Sequence, residues 1–245
     1  MPRFYLPKNR WNTSIWELDG DEAKHAAKVL RMKEGDACTV FDGEGRASRA
    51  IIAAPPSSSS VLLKPDGECS AAPGIASLTL CQSIPKGSNM DLIIQKSVEL
   101  GVGRIIPLIT ERTIVRLTPK DAETKHAKWQ RTALEACKQC GQNTLPSVEP
   151  PRSFREWLNE TKLPEVPIIA SLAPGALPIR NVLEEARSKG CRSAAVLVGP
   201  EGDFTAGETT LALDAGFRPV TLGPIVLRVE TATFFCLSAM RYALD

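Results

Sequence analysis

Ala194-Ala195-Val196-Leu197-Val198-Gly199-Pro200-Glu201-Gly202-Asp203-Phe204-Thr205 runs a short apolar strand into a loop and on toward a helix. Two glycines bracket Pro-Glu in that loop. Glycine permits positive φ and lets backbone approach a ligand closely, and Pro200 stiffens the turn. Backbone N–H groups of such a loop can bind a purine edge or a carboxylate. The strand-loop-helix unit repeats outward in both directions. Strands are predicted over 77–81, 104–108, 167–170, 194–198 and 219–222. Helices are predicted over about 89–100, 121–140, 152–159, 179–188, 205–214 and 230–244. Alternating β and α elements argue for a parallel α/β sheet.

The first 70 residues read differently. Thr39-Val40-Phe41 and Ala50-Ile51-Ile52 flank Asp42-Gly43-Glu44-Gly45, a hairpin signal. A helix is predicted from about Asp21 to Arg31, with Ala23, Ala26, Ala27 and Leu30 as its apolar stripe and Asp19 or Asp21 as cap. Residues 1–70 therefore form a small β-barrel-like module. A boundary is placed around 68–75, where Lys64-Pro65-Asp66-Gly67 and Ala71-Ala72-Pro73-Gly74 are strong turn signals. The second domain runs over 75–245. The Ser57–Ser60 run is low in complexity and reads equally as a hairpin tip.

Composition narrows the class. At 43% hydrophobic and 5% aromatic residues, the chain can build a core, mostly aliphatic. A net charge of +2 neither demands nor excludes nucleic acid. The start of the chain lacks a signal-peptide pattern and no apolar run reaches membrane-spanning length, so a cytoplasmic protein without membrane attachment is expected. Seven scattered cysteines fit a reducing compartment better than a disulfide framework. Cys137-Lys138-Gln139-Cys140 has no second pair at zinc spacing, so no metal is expected. G-x-G-x-x-G, the P-loop pattern and G-x-S-x-G are all missing, which removes support for dinucleotide, triphosphate and serine-hydrolase sites.

In open α/β sheets ligands bind at the carboxyl ends of the strands. Three loops there carry chemistry: Ile109-Thr110-Glu111-Arg112-Thr113, Val198 to Thr205, and Leu222-Gly223-Pro224-Ile225-Val226-Leu227-Arg228-Val229-Glu230-Thr231-Ala232. The last runs into the N-terminus of the final helix, which favours anionic groups.

On these residues the chain resembles the RsmE family, the 16S rRNA (uracil(1498)-N(3))-methyltransferases of the SPOUT superfamily. The Val198 to Phe204 stretch, Leu222-Gly223 and Leu227 to Ala232 carry the resemblance. Supporting stretches are Lys86-Gly87 with Met90-Asp91, Ile94-Gln95-Lys96 and Glu99 to Val102; Thr110 to Thr113; Glu135-Ala136 with Gln139 to Gln142; and, near the start, His25, Val29 to Arg31, Gly35-Asp36 and Phe41 to Gly43. It covers nearly the whole chain. It implies a PUA-like β-barrel followed by a SPOUT α/β domain with a deep C-terminal trefoil knot. It also implies a homodimer, S-adenosylmethionine as methyl donor, and the 16S rRNA of the small ribosomal subunit as partner. One departure is Ile225, where many relatives carry a basic residue.

The resemblance places the donor on Thr110, Leu172, Gly199, Pro200, Glu201, Gly202, Leu222, Gly223, Leu227, Thr231 and Ala232. Methylating uridine N3 requires loss of its proton, so a base, or groups that stabilise the anion, are expected. Glu230 or Glu201 takes the proton, and Arg228 or Lys86 stabilises the anion. Glu230 is equally placed to cap the last helix. Arg3, Arg10, His25, Lys28, Arg31 and Arg112 are the RNA-contact candidates, with a solvated charged face as the alternative. Two rival readings are a non-catalytic RNA-binding ribosome-assembly factor on the same fold and an unrelated α/β enzyme using another nucleotide.

Overall fold

The computed structural model describes residues 1–11, 14–67, 69–71 and 74–245. Glu68, Ala72 and Pro73, inside the stretch read as the boundary, lie outside the described residues. Contacts divide the chain into Met1–Pro73 with Leu134–Leu145, and Gly74–Ala133 with Pro146–Asp245. Residues 134–145 thus group with the first unit, whereas the sequence reading gave 75–245 to the second domain as one piece.

The first unit holds β1 (Arg3–Tyr5), β2 (Trp16–Asp19), α1 (Gly20–Lys24), β3 (Ala37–Phe41), β4 (Arg46–Ile52), β5 (Ser60–Pro65) and β6 (Ser70–Ala71). Its sheet runs β1-β3-β4-β5-β2, with β6 on β4; β1 and β3 are parallel and the other pairs antiparallel. Period-two patterning sets the faces. Trp16, Leu18, Val61 and Leu63 point into a core with Phe4, Leu6, Val40 and Ile52, while Glu17 and Lys64 point out. The β3–β4 turn falls on Asp42 to Gly45, with Gly43 and Gly45 both at positive φ. Asp42 locks it by accepting from the amides of Glu44 and Arg46 and pairing with the Arg46 guanidinium at 2.9 Å. Burial alone would raise the Asp42 carboxyl, but the bonds from Arg46 and Glu44 outweigh it and hold the group below its usual range. The serine run is a hairpin tip between β4 and β5, closed by Ser57 and Ser60.

The predicted 21–31 helix is present over residues 20–29, but its second half changes period. α1 ends at Lys24 and a π-turn follows over His25–Val29, in which the Leu30 amide bonds the His25 carbonyl at 2.9 Å. The wider turn rotates the apolar face. Ala23 and Ala26 stay buried, Leu30 turns 40% exposed, and Met32 takes the core place instead. Asp19 stands at the N-cap position without capping, because its carboxylate pairs with Arg10 at 3.0 Å.

The second unit continues with β7 (Ser77–Ser83), α2 (Asn89–Glu99), β8 (Arg104–Ile109), α3 (Pro119–Cys140), β9 (Ser147–Val148), β10 (Arg152–Ser153), α4 (Phe154–Glu160), β11 (Val166–Ala170), β12 (Leu177–Pro178), α5 (Ile179–Ser188), β13 (Ser193–Val198), α6 (Ala206–Asp214), β14 (Arg218–Thr221) and α7 (Val229–Leu244). Every pairing in its sheet is parallel, in the order β10-β8-β7-β13-β11-β14-β12, with β9 on β8. α7 packs on β7 and β13 and against α2 and α5. A second core layer gathers Leu108, Phe154, Trp157, Ile169, Leu197, Phe204 and Phe217. The helix expected from 152 starts at Phe154, because Arg152 and Ser153 pair with β8 and Ser153 caps. The last turns of α3, from Leu134, group with the first unit; Trp129, Ala133 and Cys137 along this helix are all buried, and burial pushes the Cys137 thiol up to about 12. Among the described residues no group of three or more His, Cys, Asp and Glu is placed to hold a metal, and no helix is long and apolar enough to cross a membrane.

Candidate functional site

A cavity of about 490 Å³ opens at the carboxyl ends of β11, β13 and β14. Small-ligand sites span roughly 300–1,000 Å³. Its walls are residues 170–172, 198–201, 221–223 and 225–230, with Asn89, Asp203 and Ala232. Of the expected ligand residues, Leu172, Gly199, Pro200, Glu201, Leu222, Gly223, Leu227, Arg228, Glu230 and Ala232 meet here; Thr110, Gly202, Thr231 and Lys86 do not line it.

Tight packing, rather than a positive φ, favours glycine at 199. A Cβ there would lie 3.0 Å from Asp203 Oδ1 and 3.2 Å from the Phe204 ring. The left-handed residue of this loop is Asp203, at φ +57°, whose Oδ1 accepts from the Phe204 amide at 2.8 Å. Gly223 does need its freedom, at φ +128°.

The neighbouring loop braces this one from outside. Arg112 donates to the Gly202 carbonyl at 2.7 Å, so Gly202 faces Arg112 and not the cavity. Glu111 pairs with Arg155 at 2.9 Å, which holds its carboxyl below the usual range. Thr110 turns inward onto Thr113. Glu208 is 1% exposed; it accepts from the amides of Glu111 and Thr205, completing a capping box on α6. That box was readable as Thr205-x-x-Glu208. Glu201 accepts from the Lys86 backbone amide at 2.9 Å, tying its loop to the one after β7. Lys86 is thereby attached through its main chain, with an exposed side chain.

Arg228 is the N-cap residue of α7, yet no side chain caps that helix, Glu230 included. Beneath this turn, Thr233 donates to Gln82 Oε1 at 2.7 Å, and both residues are fully buried. Gln82 sits beside Val198 in the sheet. The pair therefore fixes the turn carrying Arg228 and Glu230 to the strands carrying the 199–203 loop. Thr233→Val orphans a buried amide oxygen and is expected to cost about 1–3 kcal/mol. Adding Gln82→Met should recover part of that loss, as measured by a double-mutant cycle on thermal unfolding.

Residues 73–241 match the RNA methyltransferase domain family, and residues 18–66 match the PUA domain of RNA methyltransferases. The ribosomal RNA small subunit methyltransferase E of a Synechocystis strain is 32% identical over 89% of this chain and 70% of its own. The chain belongs to the ribosomal RNA small subunit methyltransferase E family. A Neisseria gonorrhoeae member, solved bound to S-adenosyl methionine, superimposes with a TM-score of 0.87 at 35% identity, over 99% of this chain and 97% of that one. A Legionella pneumophila methyltransferase, solved in complex with SAM, gives 0.88 at 31% identity over 98% and 97%.

In this family member the RNA-contact candidates divide. Arg3 is spent internally: it donates to Asn143 at 2.6 Å and lies 5.1 Å over the Phe41 ring, and burial depresses its pKa. Arg10 is held by Asp19 and the Glu17 carbonyl. His25 packs edge-on to Phe4. Arg112 belongs to the second unit, where it braces the cavity loop. Lys28 and Arg31 are exposed without an ion pair among the described residues, and Arg31 sits at φ +52° after the π-turn.

Proposed function

We propose that this chain transfers a methyl group from S-adenosylmethionine to N3 of a uridine in the 16S rRNA of the small ribosomal subunit. The observation that carries the reading is the cavity itself. It joins the Gly199–Glu201 loop to the 221–230 loop, in a chain from an RNA methyltransferase family whose relatives are solved with that donor.

The residues fit the donor. Leu172, Leu222 and Leu227 supply apolar walls for an adenine, and the Gly199–Glu201 and Leu222–Gly223 backbones supply polar edges. The donor brings an electrophilic methyl on sulfonium sulfur: the S–CH₃ bond breaks with its electron pair left on sulfur, and N3 forms the new bond with its own pair. Glu230 takes the N3 proton. Arg228 stabilises the charge that spreads onto a uracil carbonyl oxygen. Glu201 is bound to the Lys86 amide, which leaves Glu230 as the base.

RNA backbone contact falls to Lys28 and Arg31 on the first unit. A deep trefoil knot is supported by the sheet order, in which β11 lies between β13 and β14 although it precedes both. A homodimer through α7 is supported by Phe235 and Tyr242, 44% and 85% exposed on the same helix. The protein acts in the cytoplasm, where its substrate is made.

The test is incubation with S-adenosylmethionine and small subunits from cells lacking the enzyme, followed by mass spectrometry of digested RNA. N3-methyluridine is expected, dependent on both donor and protein. Donor binding without product would redirect the substrate assignment. Neither would favour a non-catalytic RNA-binding factor.

A further inference from the structure

Seven polar side chains line the cavity: Asn89, Ser171, Glu201, Asp203, Thr221, with Arg228 and Glu230. Four are engaged by their surroundings. Ser171 accepts from the Ala173 amide, Glu201 from the Lys86 amide, Asp203 from the Phe204 amide, and Thr221 from the Gly223 amide. Asn89, Arg228 and Glu230 have no side-chain partner among the described residues. A carboxamide, a guanidinium and a carboxylate therefore share one cavity with their polar atoms uncommitted. Asn89 opens α2, while the other two open α7, so they reach the cavity from different elements.

Uracil N3 lies between two carbonyls, O2 and O4. Loss of its proton puts charge on both. The electron pair that receives the methyl group lies in the ring plane, between those oxygens. One planar guanidinium bridging both oxygens would block that path. Two separate donors, one on each side, stabilise both oxygens and leave it open.

We propose that Asn89 is the second donor, its carboxamide N–H bonding uracil O4 while Arg228 serves O2. The assignment rests on reading the cavity as the methyl-transfer site. Asn89 is then a catalytic residue for this reaction.

Asn89→Asp keeps the shape and removes the donor; Asn89→Ala removes the whole group. Each should lower kcat/KM for small subunits by about 10²-fold, with the calorimetric Kd for S-adenosylmethionine within about twofold of the unaltered chain. In Asn89→Ala the acid limb of the pH–kcat profile, which reports groups in the bound complex, should move to higher pH, because a bond to the bound uracil anion no longer favours it. A packing role alone leaves the profile in place. Unchanged turnover, an unmoved profile, or a fall in donor affinity parallel to the fall in turnover would each overturn the assignment. An unaltered chain that binds donor but methylates no uridine would overturn the function itself and this inference with it. A loss confined to the variants would leave the function standing.

Discussion

Glu230→Gln should slow methyl transfer by about two to four orders of magnitude, the usual span for removing a positioned base. The change keeps the shape of the side chain and its place in the first turn of α7. No capping bond is lost, since none is made. Thermal stability should therefore hold, and donor affinity with it. Single-turnover transfer to small subunits gives the decisive number. Arg228→Ala should act in the same direction through the anion. If both variants kept full turnover, the roles given to these residues would be wrong.

Gly199→Val should abolish donor binding and also destabilise the fold. Even a Cβ at 199 meets Asp203 Oδ1 at 3.0 Å and the Phe204 ring at 3.2 Å. Phe204 cannot easily yield, because it belongs to the aromatic core with Phe154 and lies 5% exposed. The two further methyl groups of valine turn the loop out of shape. Overpacking of this kind costs about 1–3 kcal/mol, and calorimetry should show donor affinity down by at least about 10²-fold, the scale of a cavity wall displaced by an ångström. Gly202→Ala is the control. Its nearest neighbour is the flexible Arg112 side chain, at 3.4 Å, so it should shift stability by less than about 0.5 kcal/mol.

The parallel sheet was legible because its strands are apolar runs between helix-period segments, and each of the five predicted strands lies where expected within a residue or two. The two-residue strands 147–148, 152–153 and 177–178 were not, since so short a segment has no period to read. The π-turn was hidden for a different reason. Ala23, Ala26, Ala27 and Leu30 keep a perfect helical spacing, and only the hydrogen bond from Leu30 to His25 shows that the spacing is not obeyed. The cavity loops could be located from Gly199-Pro200-Glu201-Gly202 and the 222–232 stretch. Their internal wiring could not. Whether Glu201 faces a ligand or the Lys86 amide, and whether Arg112 faces RNA or Gly202, depends on bonds between segments about a hundred residues apart. Asn89 escaped notice because an isolated asparagine at a helix start reads as ordinary local chemistry.

The register of the sheet also has a consequence in time. β7 pairs on one side with β8, close by in the chain, but on the other with β13, from Ser77 against Ser193 to Gln82 against Val198. Closing so long a loop is entropically costly before any contact rewards it. On the ribosome, then, the apolar edge of β7 stays without its second neighbour until nearly the whole chain has emerged. Parallel pairings of this reach fold slowly and expose sticky strand edges meanwhile. A nascent chain halted before Ser193 should be captured by chaperones, and one completed through Leu244 should be released from them.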